Sequence, residues 1–265
     1  MYPIYPRSRR EARTFARTRK PGMRAFLVVL LLLPLALPNC RGPEAPSVEP
    51  LRRFYGAGSA TVAEGVAQPA PGRPHGRYFG ITLAGGMAER MEQSFQTLHL
   101  PASNCAYLFY RQLSPRHRAT HAFVRITLKG KTTSSQFEFP LAHLARVERS
   151  EALLKRALPL LQAGDYDALL AKGNPWGGSV AAWQRAKPRF RQLDSDYGRV
   201  CSFSLQGFAY LTPTLGGRTR PLIRLAGVLV RAKRNHQFAW VVDPNAAPQS
   251  PYLYGFNFRM EPDLR

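Results

Sequence analysis

Between His121 and Lys129, the apolar Ala122, Val124, Ile126 and Leu128 alternate with His121, Phe123, Arg125, Thr127 and Lys129. That two-residue period is the mark of a strand with one apolar face. Lys129-Gly130-Lys131 then turns the chain, and Phe137, Phe139 and Leu141 supply the next inward face, so residues 120–141 read as a hairpin. Ahead of it, Cys105–Tyr110 reads as a short aromatic strand. Met87–Leu98 reads as a helix with Met87, Met91, Phe95 and Leu98 on one side.

The second half repeats the order, helices first and strands after. Ser150 is placed to cap a helix over Glu151–Gln162, whose stripe is Leu153, Leu154, Ala157, Leu158 and Leu161. Pro159 should bend it and Gly164 end it, with Asp165 capping a shorter helix through Lys172. A further helix is expected over Val180–Leu193, bent near Pro188. Four strands follow. Cys201, Phe203, Leu205, Ala209 and Leu211 share a face, and Leu222–Val230 is a continuous apolar run. Phe238, Trp240 and Val242 alternate, as do Tyr252, Tyr254, Phe256, Phe258 and Met260. Helices that precede an antiparallel meander and cover one face of it define an α+β fold. Two helix-then-meander units are expected, at 78–148 and 149–265, and their shared order hints at an old duplication.

The stretch Leu160–Leu169, with Gly-Asp-Tyr-Asp-Ala-Leu at 164–169, resembles the opening helices of the nuclear-transport-factor-two-like superfamily. The resemblance covers residues 150–258. It implies a helical segment lying in the concavity of a bent sheet, in a superfamily that holds both enzymes and non-catalytic modules. No catalytic residue carries over from it.

Ala25–Pro38 is an apolar run of 14 residues. As a helix it would span about 21 Å, short of the ~30 Å hydrocarbon core, and it ends in Pro34 and Pro38. With positive charge before it, it reads as the apolar core of a signal peptide over 23–40. Residues 1–22 hold seven basic residues and three prolines without periodicity, so Met23 is the expected start of translation. A twin-arginine signal at Ser8-Arg9-Arg10 fits poorly, because Glu11-Ala12 follow it. Cys40, in Leu37-Pro38-Asn39-Cys40, resembles the cysteine of a bacterial lipobox, although Asn39 stands where a small residue belongs. Lipidation of Cys40, ordinary cleavage near it and an uncleaved anchor are the three readings. Residues 41–77, rich in Pro and Gly, read as a linker.

Charge is lopsided, 38 Lys+Arg against 16 Asp+Glu, and 31 of the 38 are arginines. Arginine with Ala, Gly and Pro excess is what GC-rich coding produces; attraction to an anionic partner is the other reading. Arg218, Arg220, Arg224, Arg231, Lys233 and Arg234 fall at the ends of neighbouring strands, where they would form either an anion-binding rim or a solvated edge that deters aggregation. In an oxidising compartment, Cys105 and Cys201 would either pair across the two halves or stay as buried thiols.

No motif for chemistry reaches its required context. His117 and His121 have the i, i+4 spacing of metal ligands, but Pro115 precedes them and a strand follows, so no metal is expected. Asp194-Ser195-Asp196 opens like a calcium loop, yet Leu205 stands where the bidentate Glu belongs. Gly177-Gly178-Ser179 lacks the strand that leads into a nucleophile elbow, and Ser179 is better placed as a helix cap. Cys201 with His236 would need a thiol of lowered pKa, whereas Cys201 falls on an apolar face. Gly56-Ala57-Gly58 lies in linker and forms no dinucleotide loop, so no cofactor is expected. The sequence therefore points to an exported, non-catalytic envelope module, periplasmic or held by a lipid anchor, that binds an envelope protein or an anionic envelope component. An enzyme of the cone-shaped superfamily is the first rival. A nucleic-acid binder is the second, should the chain not be exported.

Overall fold

The computed structural model describes residues 46–55, 59–86, 88–89, 91, 97–130, 134–247 and 249–258, all within the single compact unit Ala45–Arg265. The expected signal segment with Cys40, Gly56–Gly58 and most of the helix expected over Met87–Leu98 lie outside the described residues. No described helix is long and apolar enough to cross a membrane.

The fold is α+β, with two four-stranded sheets. The first has the order β1-β2-β3-β4, from β1 (Ser59–Ala67), β2 (Gly76–Ala84), β3 (Phe123–Lys129) and β4 (Ser134–Pro140). β3 and β4 form the expected hairpin, with Ile126 opposite Phe137 and Val124 opposite Phe139. β2 runs parallel to β3, Tyr78 opposite Phe123, so the connection between them must cross over. Helices α2 (His99–Tyr110) and α3 (Pro115–Thr120) lie on that connection. The second sheet is an antiparallel meander of order β10-β9-β8-β5, built from β5 (Val200–Leu211), β8 (Leu222–Arg231), β9 (His236–Val242) and β10 (Leu253–Asn257). A small hairpin, β6 (Thr214–Leu215) with β7 (Arg218–Thr219), is inserted before β8.

The structure departs from the sequence reading in four places. The supposed linker contains α1 (Glu49–Tyr55) and all of β1. β1 is an edge strand whose face is mostly exposed, so its Ala, Gly and Glu carry little apolar alternation to read. Cys105–Tyr110 is helix, not strand: ten of the twelve residues of α2 are buried, and a helix covered on all sides loses its 3.6-residue signature. Helix α4 runs from Leu141 to Ala163, and Ser150 is not a cap but a buried mid-helix residue whose hydroxyl donates to the Arg146 carbonyl. The third expected helix divides at Arg185 into α6 (Val180–Gln184) and α7 (Ala186–Tyr197), leaving Pro188 in a first turn, where a missing N–H costs nothing. The stops were read correctly: Gly164 closes α4 with φ 72°, and Asp165 accepts from the Ala168 amide at the start of α5 (Tyr166–Leu170).

One hydrophobic core joins the two halves, running from Leu51, Phe79 and Ile126 through Phe109 and Leu154 to Leu225 and Trp240. α2 is its centre, touching β3 and β4 of one sheet and β5 of the other. α1 is tied to α2 by polar contacts, with Asn104 Nδ2 donating to Tyr55 Oη at 3.0 Å and Tyr55 Oη to the Pro101 carbonyl at 3.2 Å.

Candidate functional site

The six basic residues expected to make one rim do not meet. Arg224 and Arg231 sit toward opposite ends of β8, about 23 Å apart at the rise of an extended strand. Arg231 is buried, 5% exposed, and serves the interior. Its Nη1 donates to the Gly198 carbonyl at 2.7 Å and pairs with Asp194 Oδ1, and its Nε donates to His236 Nδ1 at 3.0 Å. Tyr166 Oη donates to the other Asp194 oxygen. This cluster fastens α7 to the second sheet. Burial, then the Arg231 and Arg189 charges, lowers the His236 pKa to about 4, so its ring is neutral and free to accept from Arg231. Beside it, Lys233 Nζ donates to the Ser195 carbonyl and Arg234 lies over the Tyr197 ring.

The candidate chemical motifs resolve in the same way. Asp194 lies in α7 with both carboxylate oxygens engaged, and Asp196 accepts from Gln192, so neither opens a calcium loop. Ser179 accepts from the Ala182 amide as the cap of α6. His117 and His121 lie at 5.8 Å, edge to face, and His121 is stacked on Phe79 at 4.0 Å with its Nε2 3.4 Å from Glu64. The Cys105–Cys201 bridge is absent. Both thiols are free, because Cys105 is buried inside α2 while Cys201 is exposed on β5 rather than on an apolar face. Burial pushes the Cys105 thiol up to about 12, which makes it inert.

The structure also forms a groove that the sequence did not reveal. The loop Gly173–Ser179 is pinned to the outer edge of β10: the Asn174 amide donates to the Leu253 carbonyl at 2.6 Å, its Nδ2 to the Pro251 carbonyl at 2.9 Å, and Leu253 N to the Lys172 carbonyl at 3.0 Å. Gly177 lies so close to β10 that a Cβ there would stand 2.5 Å from the Tyr254 carbonyl oxygen. Past this contact opens a groove of about 170 Å³ with Trp183, Phe256 and Phe258 as its aromatic walls. Gly177, Gly178 and Gly255 contribute backbone rather than side chain, and Ala182 and Ala186 complete it. Trp183 Nε1 donates to the Asn174 carbonyl, and its ring meets Phe256 edge-on at 5.7 Å, so the wall is fixed.

Next in the chain to Gly177 stands Trp176, 50% exposed, with Val180 four residues further on at 77%. The Arg220 guanidinium lies 5.2 Å from the Trp176 ring centre, and its Nη1 donates to Tyr254 Oη at 3.3 Å. A Cβ at Gly216, in the β6–β7 turn, would strike the Trp176 ring, so hairpin and indole are in contact. Arg218 on β7 and Arg185 at the end of α6 are exposed nearby in the chain. Of the predicted rim, then, Arg220 meets Trp176 and Tyr254, Arg218 is exposed on the small hairpin, Arg231 is structural, and Lys233 and Arg234 contact the end of α7. None of the eight groove-lining residues has an ionisable or nucleophilic side chain. The only sequence sign of this site is Trp176 itself, a large apolar residue between Pro175 and Gly177 in a loop.

No protein family, no curated protein and no solved structure matches this chain.

Proposed function

We propose that the chain is a non-catalytic binding module of the bacterial cell envelope, exported behind residues 23–40, whose groove at Trp176 holds an acidic, aromatic-containing segment of another envelope protein. The observation that carries this reading is the pairing of Arg220 with a half-exposed Trp176, next in the chain to Gly177 of an aromatic groove. Trp and Arg are the side chains that dominate protein–protein binding energy, and large exposed apolar side chains flanked by a pocket mark contact surfaces. Three glycines in the lining expose backbone that an extended peptide can hydrogen-bond, and the guanidinium supplies the bidentate donor that a carboxylate wants. The resemblance to the nuclear-transport-factor-two-like superfamily belongs to this proposal too, supported by α4–α7 preceding the four-stranded meander.

Two measurements test it. Residues 1–45 fused to a reporter active only outside the cytosol should give signal; silence removes the envelope from the proposal. Titrating the full chain with a synthetic Asp/Phe-rich peptide should quench tryptophan fluorescence saturably, and Arg220→Gln with Trp176→Ala should abolish the effect. Saturable binding to anionic phospholipid vesicles or to oligothymidylate, with no response to the peptide, would replace the protein partner with a lipid or a nucleic acid.

A further inference from the structure

A second cavity, separate from the groove, lies between α4 and the second sheet. It measures about 130 Å³ and is lined by Leu154 and Leu158 from the helix, Phe203 and Leu205 from β5, and Leu225 from β8. Glu151 and Lys155 are its two polar lining residues. Positions 151, 154, 155 and 158 repeat at i, i+3, i+4 and i+7, so one stripe of α4 forms the whole helical wall. The pocket is open on the side of Lys155, and its Leu and Phe walls offer room for a benzene-sized apolar group.

The polar residues decide what such a ligand must carry. Glu151 accepts from Tyr107 Oη at 2.9 Å, is paired with Lys155 Nζ at 3.3 Å and faces Arg111 Nη1 at 3.9 Å. Two cations thus surround one carboxylate, which leaves one positive charge in excess at this spot. The Lys155 side chain is 64% exposed and that of Arg111 47%, so both can turn toward an incoming anion while Tyr107 keeps Glu151 satisfied. An apolar pocket beside a surplus cation matches a small amphiphile with an anionic head.

We propose that this cavity binds a small amphiphilic carboxylate, its alkyl or aryl end among Leu154, Leu158, Phe203, Leu205 and Leu225 and its carboxylate on Lys155 and Arg111. Isothermal titration of the full chain with octanoate tests this, with octanamide as the neutral analogue and acetate as the tailless one. Octanoate should bind one-to-one, octanamide about tenfold more weakly given the strength of a charge-assisted hydrogen bond, and acetate not at all. Lys155→Gln, on a side chain largely in solvent, should reduce octanoate to the level of octanamide. Leu158→Phe, which fills the cavity, should abolish binding of both, and Leu205→Phe repeats the test should the first variant fold poorly. Octanoate binding unchanged in Lys155→Gln or in the folded filling variants, or no saturable heat with octanoate, overturns the proposal. The acidic-peptide titration reads a different site, so either result stands without the other.

Discussion

The amide of Phe208 on β5 donates to the hydroxyl of Ser103 on α2 at 2.8 Å, and the same hydroxyl donates to the Leu100 carbonyl at 2.7 Å. Both residues are fully buried and lie 105 positions apart in sequence. Beside them the β5–β8 register shifts between Leu205 and Gly207, and a Cβ on Gly207 would collide with the Leu100 carbonyl oxygen. The first turn of α2 is thus seated directly on the backbone of the second sheet.

That seat predicts two unequal losses. Ser103→Ala leaves the Phe208 amide buried without an acceptor, which costs about 1–3 kcal/mol. Gly207→Ala forces helix and strand apart, and overpacking of this kind costs roughly 1–3 kcal/mol or more because the obstacle is backbone rather than a side chain that can rotate. Urea unfolding should show both variants destabilised, Gly207→Ala the more so.

Cysteine reactivity should divide in the same structural terms. In a Cys40→Ser background, Cys201 should react with Ellman's reagent in the native protein, since it is exposed. Cys105, buried and with its thiol held at about 12, should react only on unfolding. Titres of the unfolded protein should be equal with and without prior reduction, because the two thiols are not joined.

Acid should weaken the fold through His236. Its native pKa is near 4 against an ordinary value of 6.5, with Arg231, Arg189 and the Tyr197 ring as its neighbours. Between those two values the unfolded chain binds a proton that the folded protein refuses, so stability falls as pH drops from 6.5 to 4. Above 6.5 the histidine contributes no pH dependence. His236→Gln, which cannot titrate, should flatten the chemical-denaturation profile in that window relative to the unsubstituted protein.

What could be read from sequence was what leaves a one-dimensional trace. Val124, Ile126 and Leu128 alternate because one face of β3 is fully buried while Arg125 and Thr127 on the other are only half-buried, and Gly164 ends α4 because its φ of 72° suits glycine. α2 leaves no such trace, since burial around its whole circumference makes CAYLFY look the same as a core strand. The rim failed for a topological reason: Arg224 and Arg231 are close in sequence, but a strand carries them apart, and only Arg220 returns to Trp176 through the β6–β7 turn. The groove depends on Gly177 meeting Tyr254 across 77 residues, a contact that no local pattern encodes.

The glycines of the groove separate its construction from its use. Gly177 abuts the Tyr254 backbone, and neither side of that contact can rotate away, so Gly177→Ala should lower stability as well as peptide binding. Gly255 is different: the nearest atoms to a Cβ there are those of Val241 at 4.0 Å, an ordinary contact, and its φ is not in the left-handed region. A larger side chain at 255 therefore adds bulk at the groove without a backbone collision. Gly255→Leu should unfold within about 0.5–1 kcal/mol of the unsubstituted protein, the range of a mild change, while losing at least tenfold in affinity for the Asp/Phe-rich peptide. The paired readout is thermal unfolding and the fluorescence titration on both variants. Undiminished peptide binding by a stably folded Gly255→Leu protein would mean that the peptide docks somewhere other than between Trp183 and Phe256.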